Sequence, residues 1–170
     1  MLFDGRSQFF GLQIPNVIRR LLVVRRQQIA LFETIAVCVA SIVFMPFITN
    51  AEVVWFVDNT NTVAWLRNGF ARKDSRDANF LVADFWLRLL NIHSTVHIEW
   101  VPSALNIADG PSRPSHPELL QPLRSRHSKR IDPPFPAGLR RVLLEGFSFP
   151  YAPLEREVAT RWLPSWTGGS

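Results

Sequence analysis

The sequence predicts an α/β domain, and three observations carry that prediction. A continuous run of β-branched and aromatic residues, Val53-Val54-Trp55-Phe56-Val57, ends abruptly on Asp58-Asn59, as a strand buried on both faces inside a sheet does. Two longer stretches, about 27–44 and 76–92, are helical by length and apolar content. Val96-His97-Ile98-Glu99-Trp100-Val101 alternates, as a strand with one covered face would. Strand, helix and strand therefore interleave, which is the pattern of a sheet flanked by helices.

Taken in order, Leu2-Phe3 and Gln8 to Ile14 read as two strands around a turn, because Asp4-Gly5 is a strong hairpin signal. Pro15-Asn16 ends the second strand, and Val17 to Val24 reads as a short helix or docked connection with its arginines in water. The helix over 27–44 places Ile29, Leu31, Phe32, Ile35, Ala36, Val39, Ile42 and Val43 all round its surface, so it should be buried on most sides. Pro46 should stop it. After the Asp58 strand, Asn59 or Thr60 can cap a helix that runs to Gly69, a residue suited to a left-handed C-terminal cap. Asp77 or Ser75 caps the next helix, where Asp77, Asp84, Arg88 and Asn91 form the polar stripe and the rest reads as core. From Pro114 the chain changes character. Prolines become frequent, basic residues cluster, and residues 114–170 read as a largely extended or disordered tail with one short helix at 139–145, following a domain over 1–113.

Composition narrows the class. Apolar residues at 47% and charged residues at 19% exclude wholesale disorder, and 170 residues suffice for one core. A formal charge of +5 and a pI near 10.6 favour a polyanionic partner. The single cysteine, Cys38, excludes an internal disulfide and fits a reducing, intracellular compartment, cytoplasmic or nuclear. Asp4 interrupts the first apolar positions, so the start does not read as a secretory signal. Residues 29–47 are apolar enough to raise a single membrane span behind a basic flank, but Glu33 lies inside the stretch and Pro46 breaks its end. A membrane partner is therefore not expected.

Three carboxylates stand out by context: Glu33 within an apolar helix, Asp58 at the end of an apolar strand, and Asp109 in a tight polar turn. Each alone has a structural explanation, as a solvated edge residue, a helix cap and a turn residue. Carboxylates delivered together by a helix, a strand end and a loop can hold hard divalent cations, which prefer oxygen ligands; without histidine or cysteine this favours Mg²⁺ or Mn²⁺ over zinc.

These residues carry a family resemblance. Glu33 in QQIALFETIAV, Asp58 in VVWFVDNTNTVAWLRNG and Asp109 in WVPSALNIADGPSR resemble the ribonuclease H domain of retroelement reverse transcriptases, especially the tyrosine-recombinase (DIRS-like) and Gypsy-like groups. The likeness covers about residues 2–113, and the Asn-x-Ala-Asp-x-x-Ser-Arg motif at its end is the most specific part. It implies a ribonuclease H-like mixed sheet flanked by helices, and metal-dependent hydrolysis of RNA in RNA–DNA hybrids by two cations. By the same resemblance Glu33, Asp58 and Asp109 are catalytic metal ligands, while Asn59 and Ser103 shape the site or touch substrate. Arg72, Lys73 and Arg113 would meet phosphate. The implied partners are an RNA–DNA hybrid and the reverse transcriptase portion of a polyprotein.

The departure from the family matters equally. Its first strand bears a further Asp that bridges both metals, and here Met1 comes too late to supply it, so the domain reads as N-terminally truncated. Little or no nuclease activity is the expectation for the isolated chain. The competing readings are a catalytically dead module that still binds nucleic acid or polymerase, and a single-span membrane protein using 29–47.

Overall fold

The computed structural model describes residues 1–3, 6–22, 28–72, 75–112 and 115–148. It is mixed α/β, and the described residues form two small sheets rather than one. β1 (Leu2–Phe3) pairs antiparallel with β2 (Arg6–Phe9), and β2 pairs in parallel with β5 (Lys129–Arg130), so this first sheet is mixed. The predicted Asp4-Gly5 turn lies outside the described residues. In the second sheet β3 (Glu52–Val57) pairs in parallel with β4 (Thr95–Trp100) over six residues, Glu52 opposite Thr95 and Val57 opposite Trp100.

β3 forms where its β-branched and aromatic run predicts it, but its setting differs from the prediction. Among the described residues the strand has one partner, β4, and it alternates in exposure: Val54 and Phe56 are 56% and 61% exposed, while Val57 is buried. Its opposite face holds Trp55 edge-on to Phe85, with ring centroids 5.5 Å apart. The composition of a strand records that both faces tolerate apolar residues, not that a second layer covers both.

Helices fill the space between the strands. α1 (Asn16–Leu21) starts after Pro15, whose fixed φ suits the entry to a helix, and it buries Ile18. α2 (Gln28–Val43) occupies the long apolar stretch and buries Leu31, Thr34, Ile35, Cys38 and Val39. Pro46 does not simply end it: Phe44 leaves helical geometry and Pro46 sits in the first turn of α3 (Met45–Ile48), where its missing N–H costs nothing. Among the described residues no helix is long and apolar enough to cross a membrane. α4 (Thr60–Asn68) is capped by Asn59 and ends on Gly69 in the left-handed region at φ 73°, both as predicted.

α5 (Arg76–Asn91) packs on α2 and contributes Leu81, Val82, Phe85 and Leu89 to the core. The Asp84–Arg88 pair forms as its spacing requires, at 2.8 Å. The expectation that the remaining apolar positions are core fails at Phe80, Leu87 and Leu90, which are exposed, whereas Asp77 is buried and accepts a hydrogen bond from the Ala78 amide.

Past residue 114 the structure departs from the expected extended tail. A 3₁₀ turn (Pro117–Leu120) leads into α7 (Gln121–Ser125), the chain then pairs through β5, and α8 (Ala137–Ser148) packs on α1 and α5. Leu139 and Leu143 of α8 are fully buried in the same core as Leu31 and Phe85. Proline breaks the periodicity between these elements without preventing the elements themselves, so composition alone reads as tail. Residues 149–170 lie outside the described part.

Candidate metal centre

Backbone geometry at the end of β3 determines where Asp58 goes. Val101 donates its amide to the Val57 carbonyl at 3.0 Å, and the Trp100 indole N–H donates to the Asp58 carbonyl at 3.1 Å. The first bond continues the parallel ladder just beyond the strand, and the second ties the Asp58 backbone to a side chain of β4. Asn59 then turns the chain into α4, its side-chain oxygen accepting from the amides of Asn61 and Thr62 at 3.0 and 3.1 Å. The two neighbours in the motif thus divide the work: Asn59 caps the helix, and Asp58, which could itself have been the cap, is left with its carboxylate free of that duty.

Glu33 comes from the second turn of α2, and a threonine brings α2 and α4 together. Thr62 Oγ1 donates to the Ala30 carbonyl at 3.0 Å, sharing that acceptor with Thr34 Oγ1 at 2.8 Å. Both threonines are fully buried, so this contact places the start of α4, and with it Asp58, against the turn of α2 that carries Glu33. Asp109 opens the short helix α6 (Asp109–Ser112) rather than a free turn. Asn106 organises its approach: the Asn106 side-chain oxygen accepts from the Ala108 amide at 3.1 Å, and its carbonyl accepts from the Asp109 amide at 3.1 Å. Gly110 is buried against the Leu119 carbonyl, where a Cβ would collide with backbone, so glycine at this place lets α6 lie against the following 3₁₀ turn. Gly11 similarly approaches Pro111, where a Cβ would stand 2.8 Å from the Pro111 carbonyl oxygen.

Electrostatics joins the three carboxylates. Burial pushes the Glu33 carboxyl up to about 7, and the negative charges of Asp58 and Asp109 push it in the same direction. All three side chains are partly buried, so water does not fully screen them from one another. Oxygen-only donors under mutual repulsion suit a hard divalent cation. Among the described residues, however, no three His, Cys, Asp or Glu side chains are gathered closely enough to hold a single ion. The donor chemistry fits Mg²⁺ or Mn²⁺, and the side chains would have to close in to complete the coordination.

Comparison with known protein families, characterised proteins and solved structures gives no match. The site is therefore read from its own geometry. Of the other sequence-predicted residues, Ser103 begins an exposed 3₁₀ turn and Arg72 is exposed, its carbonyl accepting from the Asn79 side chain at 2.7 Å. Lys73 and Arg113 lie outside the described residues. Sequence reasoning missed the residues that position the site: Thr62, Trp100 and Gly110. A threonine inside the first turn of a capped helix was the one available signal for Thr62, Gly110 showed only as part of an Asp-Gly turn, and Trp100 carried none.

The Glu33 carboxyl has a pH signature. Its ordinary value of 4.5 holds in the unfolded chain, whereas the folded protein keeps the proton until about 7. Between those values the native state binds more protons than the unfolded state, so stability falls as pH rises and the loss is complete above the folded value. For a partly solvated group the penalty is on the order of 1–2 kcal/mol. Glu33→Gln is therefore expected to raise the urea midpoint relative to wild type at pH 8 and to leave it nearly unchanged at pH 4.5. Equal differences at both pH values would show that the carboxyl is not perturbed.

Proposed function

We propose that this chain is a ribonuclease H-like part of a retroelement reverse transcriptase, which binds RNA–DNA hybrid and hydrolyses its RNA strand slowly in the presence of Mg²⁺ or Mn²⁺. The observation that carries the reading is the action of Asp58 and Asp109 on Glu33, three residues far apart in sequence whose motifs resemble that family's acidic positions. Bound divalent cations would supply an activated water and stabilise the departing oxygen in an in-line displacement. The chain's own contribution is to hold the carboxylates on backbone that other bonds have already fixed: Asp58 by Trp100, Asp109 by Asn106, and Glu33 by the Thr62 contact. Glu33 gives up its proton when a cation binds, so cation affinity should rise with pH through neutrality.

The sheet supports the same reading. Among the described residues the edge of β3 away from β4 has no strand partner, while the Ile98 carbonyl on β4 accepts from Arg67 Nε at 2.8 Å. A further strand, such as the one on which the family carries its additional Asp, would pair along the free edge of β3. Side chains that would have to close in to complete the coordination should hold cations weakly, which is why hydrolysis is expected to be slow.

A labelled RNA–DNA hybrid incubated with Mg²⁺ or Mn²⁺ tests the reading. Slow accumulation of RNA fragments with wild type, and none with Asp58→Asn, supports it. Equal product from both proteins overturns it. Hybrid binding with no cleavage by either protein would favour a second reading, a binding module that has lost hydrolysis. That alternative draws on one observation: no three described ligands are gathered around one ion position.

A further inference from the structure

We propose that α1 and α8 together form a docking surface for the phosphate backbone of duplex nucleic acid, with Arg19, Arg20, Arg140 and Arg141 as its contact residues. The inference deepens the nucleic-acid reading above and shares its partner, but it uses none of the carboxylates. The two helices pack on each other, and each anchors itself with a pair of apolar residues one turn apart. In and beside α1 these are Ile18 and Leu22; in α8 they are Leu139 and Leu143, and all four are buried. At about 100° per residue, the two positions that follow the first anchor of each pair turn away from the core. Those positions are Arg19 and Arg20 in α1 and Arg140 and Arg141 in α8, and all four are exposed.

The same short pattern, an anchor followed by two arginines, thus occurs on two neighbouring helices. None of the four arginines forms an ion pair with a described side chain. By sequence the two helices carry these four arginines and a single acidic residue, Glu145. Packed helices lie about 8–10 Å apart, a separation that a phosphate backbone, with a charge every ~3.4 Å per strand, can bridge. Guanidinium groups are suited to it because they donate two parallel hydrogen bonds to one phosphate.

An anionic lipid surface would demand a different arrangement. A helix lying on a membrane turns an apolar face outward, whereas here the apolar anchors of both helices are spent on the core. Among the described side chains, Val17 is the exposed large apolar residue of α1, and the exposed positions of α8 are Ala137, Gly138 and the two arginines. Contacts of this kind carry no base information, so binding should be insensitive to sequence and sensitive to salt.

The test is fluorescence anisotropy of the full chain with a short labelled RNA–DNA hybrid, in chelator and over a range of salt concentrations. The double variants Arg19→Ala/Arg20→Ala and Arg140→Ala/Arg141→Ala are compared with wild type, with urea midpoints confirming that each remains folded. Each double variant is expected to lower affinity about tenfold and to reduce the slope of log affinity against log salt by about 1–2. Unchanged affinity and slope in both doubles would overturn the proposal. So would loss of binding to phosphatidylserine vesicles with hybrid binding intact, which would assign the surface to lipid. Because chelator removes any cleavage, failure here speaks to the arginine surface alone, and failure of Asp58-dependent cleavage speaks to the carboxylates alone.

Discussion

Leu143→Ala is expected to destabilise the protein by about 3 kcal/mol, within the ~2–5 kcal/mol range for emptying a buried leucine site. The reason is the place of α8. Its residue 143 is fully buried in the core that also contains Leu31 of α2 and Phe85 of α5, so truncation leaves a cavity in a core shared with elements far away in sequence. Arg140→Ala, three residues earlier on the exposed side of the same helix, should change stability by less than about 0.5 kcal/mol. Urea unfolding of the two variants separates the alternatives. A large midpoint shift for Leu143→Ala alone makes the proline-rich region part of the folding unit, and equal small shifts would return it to the status of a tail.

The second large effect concerns the proposed chemistry. Under the proposed function, Asp58→Asn should reduce cation-dependent hydrolysis by at least about 10–100-fold, the loss that follows from removing even an outer partner of a metal ligand. Asparagine keeps the shape of the side chain, and the Asp58 backbone carbonyl that Trp100 holds is untouched. The Asn59 cap and the β3–β4 register should survive as well, so the loss would not be a folding defect. The same substitution removes one of the two charges acting on Glu33. Its carboxyl should therefore titrate lower, and the fall in stability with rising pH should shrink.

What the sequence made legible follows from how local each determinant is. The cap at Asn59, the left-handed Gly69 and the Asp84–Arg88 pair depend on residues within a turn of one another, and each formed as read. Exposure of Val54 and Phe56 depends on whether another layer of structure covers β3, which the strand's own residues do not state. Phe80, Leu87 and Leu90 pose the same problem on α5: apolar side chains at helical spacing look like core whether or not anything packs on them. In α8 the pattern around Leu139 and Leu143 was visible as a short helix, but its burial required α1 and α5 as neighbours.

At the candidate site, the three carboxylates could be picked out of the sequence by context, whereas the bonds that support their backbones could not. Glu33 and Asp58 are brought together by a threonine hydroxyl and a shared carbonyl, a contact between residues 32 positions apart. Asp109 depends on close approaches at Gly110 and Gly11, which show only when the partner backbone is in place. The short two-stranded parallel sheet could not be read either, because strand count depends on pairing across the fold.

The most direct test of the central claim, that Glu33, Asp58 and Asp109 act as one electrostatic site, is an NMR titration of the Glu33 side-chain carboxyl carbon. It would be run on wild type and Asp58→Asn, each with and without Mg²⁺. The structure predicts a midpoint of about 7 in cation-free wild type, a lower one in Asp58→Asn, and a lower one in wild type when Mg²⁺ is added. A midpoint near the ordinary 4.5 in every sample would contradict it.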